Sequence, residues 1–144
     1  MFRRTFLTLI IWALALPAFA ADPVYNTDDI AINGYDPVAY FTQAMPVKGQ
    51  LDYAYDWNDT VWLFSNAENM ALFAAAPDAY APQFGGYCAY AMAKGKLAPI
   101  VPEAWTIVDG KLYLNFNLQA RELWSEDIPG NISVAESYWP DVLK

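Results

Sequence analysis

The chain of 144 residues has no histidine and one cysteine. Without histidine there can be no Ser-His-Asp triad, no Cys-His pair, no protein histidine on a haem iron and no His-ligated zinc site. With one cysteine there can be no internal disulfide, CxxC redox pair or cysteine-rich metal cage within one chain. Positive charge is also scarce, with 8 Lys+Arg against 16 Asp+Glu and a formal net charge of −8. Nucleic-acid affinity rests on Lys and Arg replacing counterions along the phosphate backbone, so this balance argues against nucleic acid as a partner. No apolar run reaches the roughly 20 residues that a membrane-spanning helix needs.

The longest such run has the flanks of an export leader. Arg3 and Arg4 precede an almost wholly apolar stretch from Phe6 to Leu16, and Pro17 leads into Ala18-Phe19-Ala20, an A-x-A pattern before Ala21. The expected organisation is a cleavable signal peptide over residues 1–20, an extended N-terminal arm over 21–31 and one folded domain over 32–144. Cleavage removes two arginines and no acids, so the net charge moves from −8 to −10. A periplasmic or secreted protein without a stable membrane anchor is expected, with an envelope protein as a conceivable partner. No cysteine follows the apolar run, which excludes a bacterial lipoprotein anchor.

The mature chain is rich in apolar residues, and the patterning predicts short helices alternating with hairpins. Asp36 before Pro37 reads as a cap on a helix over Pro37–Phe41. Tyr53–Trp57 and Thr60–Phe64 flank Asn58-Asp59 as a β-hairpin. Ser65-Asn66-Ala67-Glu68 fits a capping box, followed by a helix from Asn66 to about Ala76 and a short turn from Pro77 to Tyr80. Gly85-Gly86 introduces a helix over Tyr87–Lys94, with Cys88 in its first turn and Gly95 at its end. Trp105–Val108 and Lys111–Phe116 flank Asp109-Gly110, the strongest hairpin signal in the chain. Asn117 caps Leu118–Glu126, and an Ile128-Pro129-Gly130-Asn131 turn precedes a last helix near Ile132–Tyr138. The expected class is α+β, a single compact domain with antiparallel hairpins at about Tyr53–Phe64 and Trp105–Phe116 packed on several short helices.

Several of these stretches together carry a resemblance. Gly34-Tyr35-Asp36-Pro37-Val38-Ala39-Tyr40-Phe41, then Phe64-Ser65-Asn66-Ala67-Glu68-Asn69 with Phe73, then Tyr80-Ala81-Pro82-Gln83-Phe84-Gly85-Gly86-Tyr87-Cys88-Ala89, resemble the YHS-domain family. The stretch from Ala104 to Asn117 and the Pro129-Gly130-Asn131-Ile132 turn resemble its longer, exported bacterial branch. The resemblance runs from about Ile32 to Pro140. It implies a domain of the kind found beside heavy-metal-transporting ATPases and in multicomponent oxygenases, whose short metal-associated versions carry cysteines suited to soft metals. This chain has Ala39, Ser65 and Asn69 at positions where those versions have cysteine, and it lacks the name-giving histidine.

Cys88 is then the residue with the most chemistry to offer. A helix N-terminus supplies N–H donors that suit a thiolate, and Met92, four residues on, would place a thioether on the same face. Thiolate and thioether select Cu(I), with Met70 or Met45 as a further ligand, so Cys88, Met92 and Met70 form a candidate soft-metal set. Free cysteine is also among the most buried residue types, and methionine commonly fills gaps in cores, so a packing role stands beside the metal role. A third possibility is thiol redox chemistry at Cys88. The alternative site is an aromatic pocket for a small molecule or protein, drawn from Tyr35, Tyr40, Tyr87, Tyr90 and Trp105. Asp36 and Glu68 read as helix caps rather than as catalytic acids. With no histidine and no carboxylate next to Cys88 in sequence, a non-enzymatic protein is expected.

Overall fold

A computed structural model describes residues 20–144, so the expected leader lies outside the described residues except for Ala20. The fold is α+β, built on two sheets. The larger contains β1 (Asn26–Thr27), β2 (Ile30–Ala31), β3 (Gln50–Trp57) and β4 (Thr60–Phe64) in the order β1-β2-β4-β3. The smaller is the hairpin of β5 (Trp105–Val108) and β6 (Lys111–Leu114). Around them lie α1 (Ala39–Thr42), α2 (Ala67–Ala75), α3 (Pro77–Tyr80), α4 (Ala89–Met92), α5 (Leu118–Ser125) and α6 (Ile128–Tyr138). Among the described residues no helix is long and apolar enough to cross a membrane.

Both expected hairpins form for the local reason that predicted them. Asn58 and Asp59 have φ of 52° and 59°, and Asp109 and Gly110 have 52° and 74°. Two successive left-handed residues match the right-handed twist of the flanking strands, and Asn, Asp and Gly tolerate that conformation. Asn117 caps α5 as expected, its Oδ1 accepting from the Ala120 N–H at 2.7 Å.

Three local expectations are corrected. The arm over 21–31 is an integral part of the fold. β1 and β2 form a hairpin, Ile30 of β2 pairs parallel with Val61 of β4, and Val24 and Ala31 are buried. The cap of α2 is Asn66 rather than Ser65, with Asn66 Oδ1 accepting from the Asn69 N–H at 2.8 Å and Glu68 left exposed. Ser65 is drawn elsewhere, to Asp36. Finally, Ile128-Pro129-Gly130-Asn131 is the first turn of α6 and not a turn before it. Asp127 caps the Gly130 N–H, and a proline in the first turn removes an N–H that would have no helical partner.

Asp36 explains two of the sequence motifs at once. Its side chain is fully buried; Oδ1 accepts from the Val38 and Ala39 N–H groups at 2.9 and 3.2 Å. Oδ2 accepts from the Ser65 N–H, the Ser65 hydroxyl and the Asn69 side-chain amide at 2.9, 2.8 and 2.8 Å. One carboxyl group thus caps the start of α1 and ties it to the junction between β4 and α2. Every contact is a neutral donor reaching a buried acceptor, so removing the acceptor would leave several donors unpaired.

The core has two clusters, divided by β6. The first centres on Phe73, whose ring lies 5.1 Å from both Trp62 and Phe64 and 5.6 Å from Trp57. The second centres on Trp124, 5.2 Å from Tyr113, with Phe84, Met92 and Ala135. Side chains alternate across a strand, so Leu112 and Leu114 enter the first cluster and Tyr113 the second. The same partition passes through the start of α4, where Cys88 belongs to the first cluster and Ala89 and Met92 to the second.

Candidate functional site: the Cys88 thiol and its pocket

Cys88 follows a sharp reversal of the chain. Phe84, Gly85 and Gly86 have φ of 57°, 64° and 85°, three successive left-handed residues that bring the backbone round in one short turn. A Cβ on Gly85 would collide with the Pro23 carbonyl, so glycine also allows the N-terminal segment to lie against the turn, where the Tyr25 N–H donates to Gly85 O at 2.9 Å. Beyond the reversal the Cys88 N–H donates to Ala98 O at 3.0 Å. Cys88 itself is the cap of α4, with extended backbone angles of −55° and 119°.

The sulfur accepts from two backbone N–H groups on different segments. Within α4 the Ala91 N–H reaches it at 3.4 Å, and after β6 the Phe116 N–H reaches it at 3.2 Å. As a thiol it also donates to Asn115 Oδ1 at 3.5 Å. Asn115 is fully buried and sits at the crossing of three segments. Its Oδ1 accepts from the Tyr90 N–H at 2.9 Å, its N–H donates to Ala104 O and its carbonyl accepts from the Val101 N–H. The Tyr90 contact fixes which end of the amide is oxygen. Asn115 Nδ2 is then buried with no partner among the described residues.

Cys88 lines a pocket of about 270 Å³ with a mainly apolar surface, formed by Tyr90, Ala91, Ala98, Phe116 and Ala120 among others. Lys94 and Lys96 complete its lining from exposed positions, and the Lys94 ammonium sits 4.7 Å from the centre of the Tyr90 ring. Cys88 is only 1 % exposed, so whatever reaches the sulfur must come through this pocket. The pocket lining supplies no carboxylate. Among the described residues no group of three or more Cys, Asp and Glu side chains is placed to hold a metal ion.

The residues expected to join Cys88 are only partly brought together. Met92 is fully buried in the second cluster, away from the cluster that holds Cys88. The physical reason is the backbone of Cys88. Its non-helical angles turn the side chain out of the helical register, and Cys88 packs in the first cluster while Met92 packs in the second. Met70 is half-buried against the first cluster, which includes Cys88, and Met45 is exposed.

The five aromatic candidates divide between different surroundings. Tyr40 is buried beside Trp105, ring centres 5.4 Å apart, and its hydroxyl donates to Pro102 O at 2.9 Å. Burial pushes the Tyr40 hydroxyl well above the usual tyrosine range, with Glu103, Tyr35 and Asp36 adding to the effect. Tyr87 belongs to the second cluster and donates to Asp22 O at 2.8 Å; burial raises it too, and Asp22 and Tyr25 contribute. Tyr35 bridges to Lys48 at the edge of the larger sheet. Of the five, Tyr90 lines the Cys88 pocket. Asn115 and Phe116 are the site residues that sequence reasoning missed. Their signal is the Asn-Phe-Asn run after β6, in which only Asn117 has a local role as a cap.

Comparison of the chain with family models, with curated proteins and with solved structures found no match.

Proposed function

We propose that the protein is an exported, non-catalytic domain of the YHS kind that holds a soft, thiophilic ligand at the Cys88 sulfur, with Cu(I) as its metal form. The observation that carries this reading is the sulfur itself, held by the Ala91 and Phe116 N–H groups beside an apolar pocket. The two N–H contacts hold the sulfur in place beside the pocket, and a thiol sulfur is the soft donor that thiophilic ions select. The motifs from Gly34 to Asn117 support the family reading, and the Arg3-to-Ala20 pattern supports export. A single thiolate leaves coordination positions of a soft ion open, which suits handing the ion to another envelope protein better than storing it. Met70, on the same side of the β6 partition, is the better second ligand than Met92.

The test is an anaerobic Cu(I) competition titration against a chromophoric chelator. One-to-one binding is expected in the mature protein, lost in Cys88→Ser, weakened in Met70→Leu and unchanged in Met92→Leu. Equally poor competition by wild type and Cys88→Ser would remove the metal reading.

A second reading, thiol exchange at the same sulfur, is favoured by the pocket volume of about 270 Å³, which leaves room for a small disulfide. The Cys88 thiolate would attack one sulfur of that disulfide, forming a mixed disulfide and releasing the other half as a thiolate. The chain has no second cysteine, so an external thiol would have to regenerate it. Prompt, stoichiometric reaction of the native protein with an aryl disulfide reagent at neutral pH, absent in Cys88→Ser, is the expected sign. Reaction only after denaturation would assign Cys88 to packing alone.

A further inference from the structure

A second cavity lies where the N-terminal segment, the tip of the β3–β4 hairpin, α3 and the residue after α6 converge. It measures about 210 Å³, and its lining includes the half-buried Trp57 and Trp139 with Asp78 and Asn58, while Trp62 and Phe84 back these rings from the core. The aromatic rings come in two pairs. Trp57 and Trp62 lie 5.8 Å apart at 56°, and Phe84 and Trp139 lie 6.4 Å apart at 70°. A larger depression of about 510 Å³ adjoins it, sharing Trp57 and Asn58 and adding Asp29, Asp56 and Asp59. No lysine or arginine lines either depression.

This combination narrows the occupant. An anion would meet aspartates and no cation, in a chain of net charge −8. A bare metal ion would need several oxygen ligands converging on one point, and among the described residues no such group is placed to hold one. Aromatic walls beside carboxylates instead suit an organic cation whose charge is spread over methyl groups, because the ring faces attract the charge and the apolar surface is removed from water. We propose that this tryptophan cleft binds a quaternary ammonium group. The site is separate from the Cys88 pocket, shares no lining residue with it and does not depend on the function proposed for it.

The test is calorimetric titration of the mature protein with tetramethylammonium and with choline, followed in parallel by tryptophan fluorescence. The control ligand is 3,3-dimethylbutan-1-ol, which has the shape of choline without its charge. Saturable one-to-one binding is expected for both cations, with the neutral alcohol about tenfold weaker or worse. Asp78 is exposed, so Asp78→Asn should leave the fold unchanged and weaken choline severalfold. Trp139→Leu should weaken it further, while Cys88→Ser leaves it unaltered. Equal affinity for choline and the alcohol would overturn the proposal, as would choline binding that survives both Asp78→Asn and Trp139→Leu. Co-sedimentation with phosphatidylcholine vesicles would place the group on a lipid headgroup; binding of free choline without co-sedimentation would place it on a soluble compound.

Discussion

Asp36 and Cys88 do comparable work beside the same core cluster. Asp36 lies three residues before the four-residue helix α1 and Cys88 directly before the four-residue helix α4, and each accepts an N–H from its helix and another from a distant junction. The difference lies in the acceptor. Asp36 brings two oxygens, takes five donors at 2.8 to 3.2 Å and lines none of the cavities described above. Cys88 brings one sulfur, takes longer contacts, lies beside an open pocket and has a neighbour, Asn115, with an unpaired amide nitrogen. An oxygen is the better cap, since Ser, Thr, Asp and Asn lead that position in helices generally. A fold that can staple a helix start with oxygen at Asp36 gives up part of that strength at Cys88, and this supports a chemical role for the sulfur.

The largest expected effect tests the first half of the comparison. Asp36→Ala strands the Ser65 and Asn69 donors and uncaps α1, and should cost about 3–5 kcal/mol in chemical denaturation. Asn115→Ala removes the acceptor of the Tyr90 N–H but also an unpaired group, so about 2 kcal/mol is expected by the same measurement. Cys88→Ser should cost about 1 kcal/mol or less, because a hydroxyl can replace the sulfur as a cap while thiol chemistry is lost. A Cys88→Ser cost as large as that of Asp36→Ala would break the comparison and return Cys88 to a structural role.

The smallest effect is a pH dependence beside the Asp36 staple. Tyr40 has a folded hydroxyl raised above its unfolded value, so the fold favours its neutral form. The corresponding stability is fully present below the unfolded value of about 10 and is lost as pH rises above it. Denaturation midpoints should fall above that pH, and Tyr40→Phe should reduce the fall.

What could be read from the sequence was what is decided locally. Asn58-Asp59 and Asp109-Gly110 set their hairpins within four residues, and Asn117 caps α5 from the adjacent position. The failures came where distant partners intervened. Ser65 resembles a cap until Asp36, 29 residues earlier, takes its hydroxyl and its N–H. In the arm Pro23 and Asp28-Asp29 interrupt the apolar residues, and its strands become visible only in the pairing of β1 with β2 and of Ile30 with the distant Val61. At the site, Cys88 was legible as a chemical residue at a helix start. Its real neighbours were not, because Asn115 and Phe116 arrive from the segment after β6, 27 and 28 residues away.

The N-terminal segment also bears on the order in which the molecule can be completed. The Ala21 N–H donates to Leu143 O at 2.8 Å, so residues near the two ends of the described chain are joined to each other. A polypeptide emerging from synthesis cannot make that clasp until Leu143 has been added and is free to turn back. Up to that moment the acid-rich surface keeps an unfinished chain dispersed. The clasp is therefore among the last contacts that the folding chain can make.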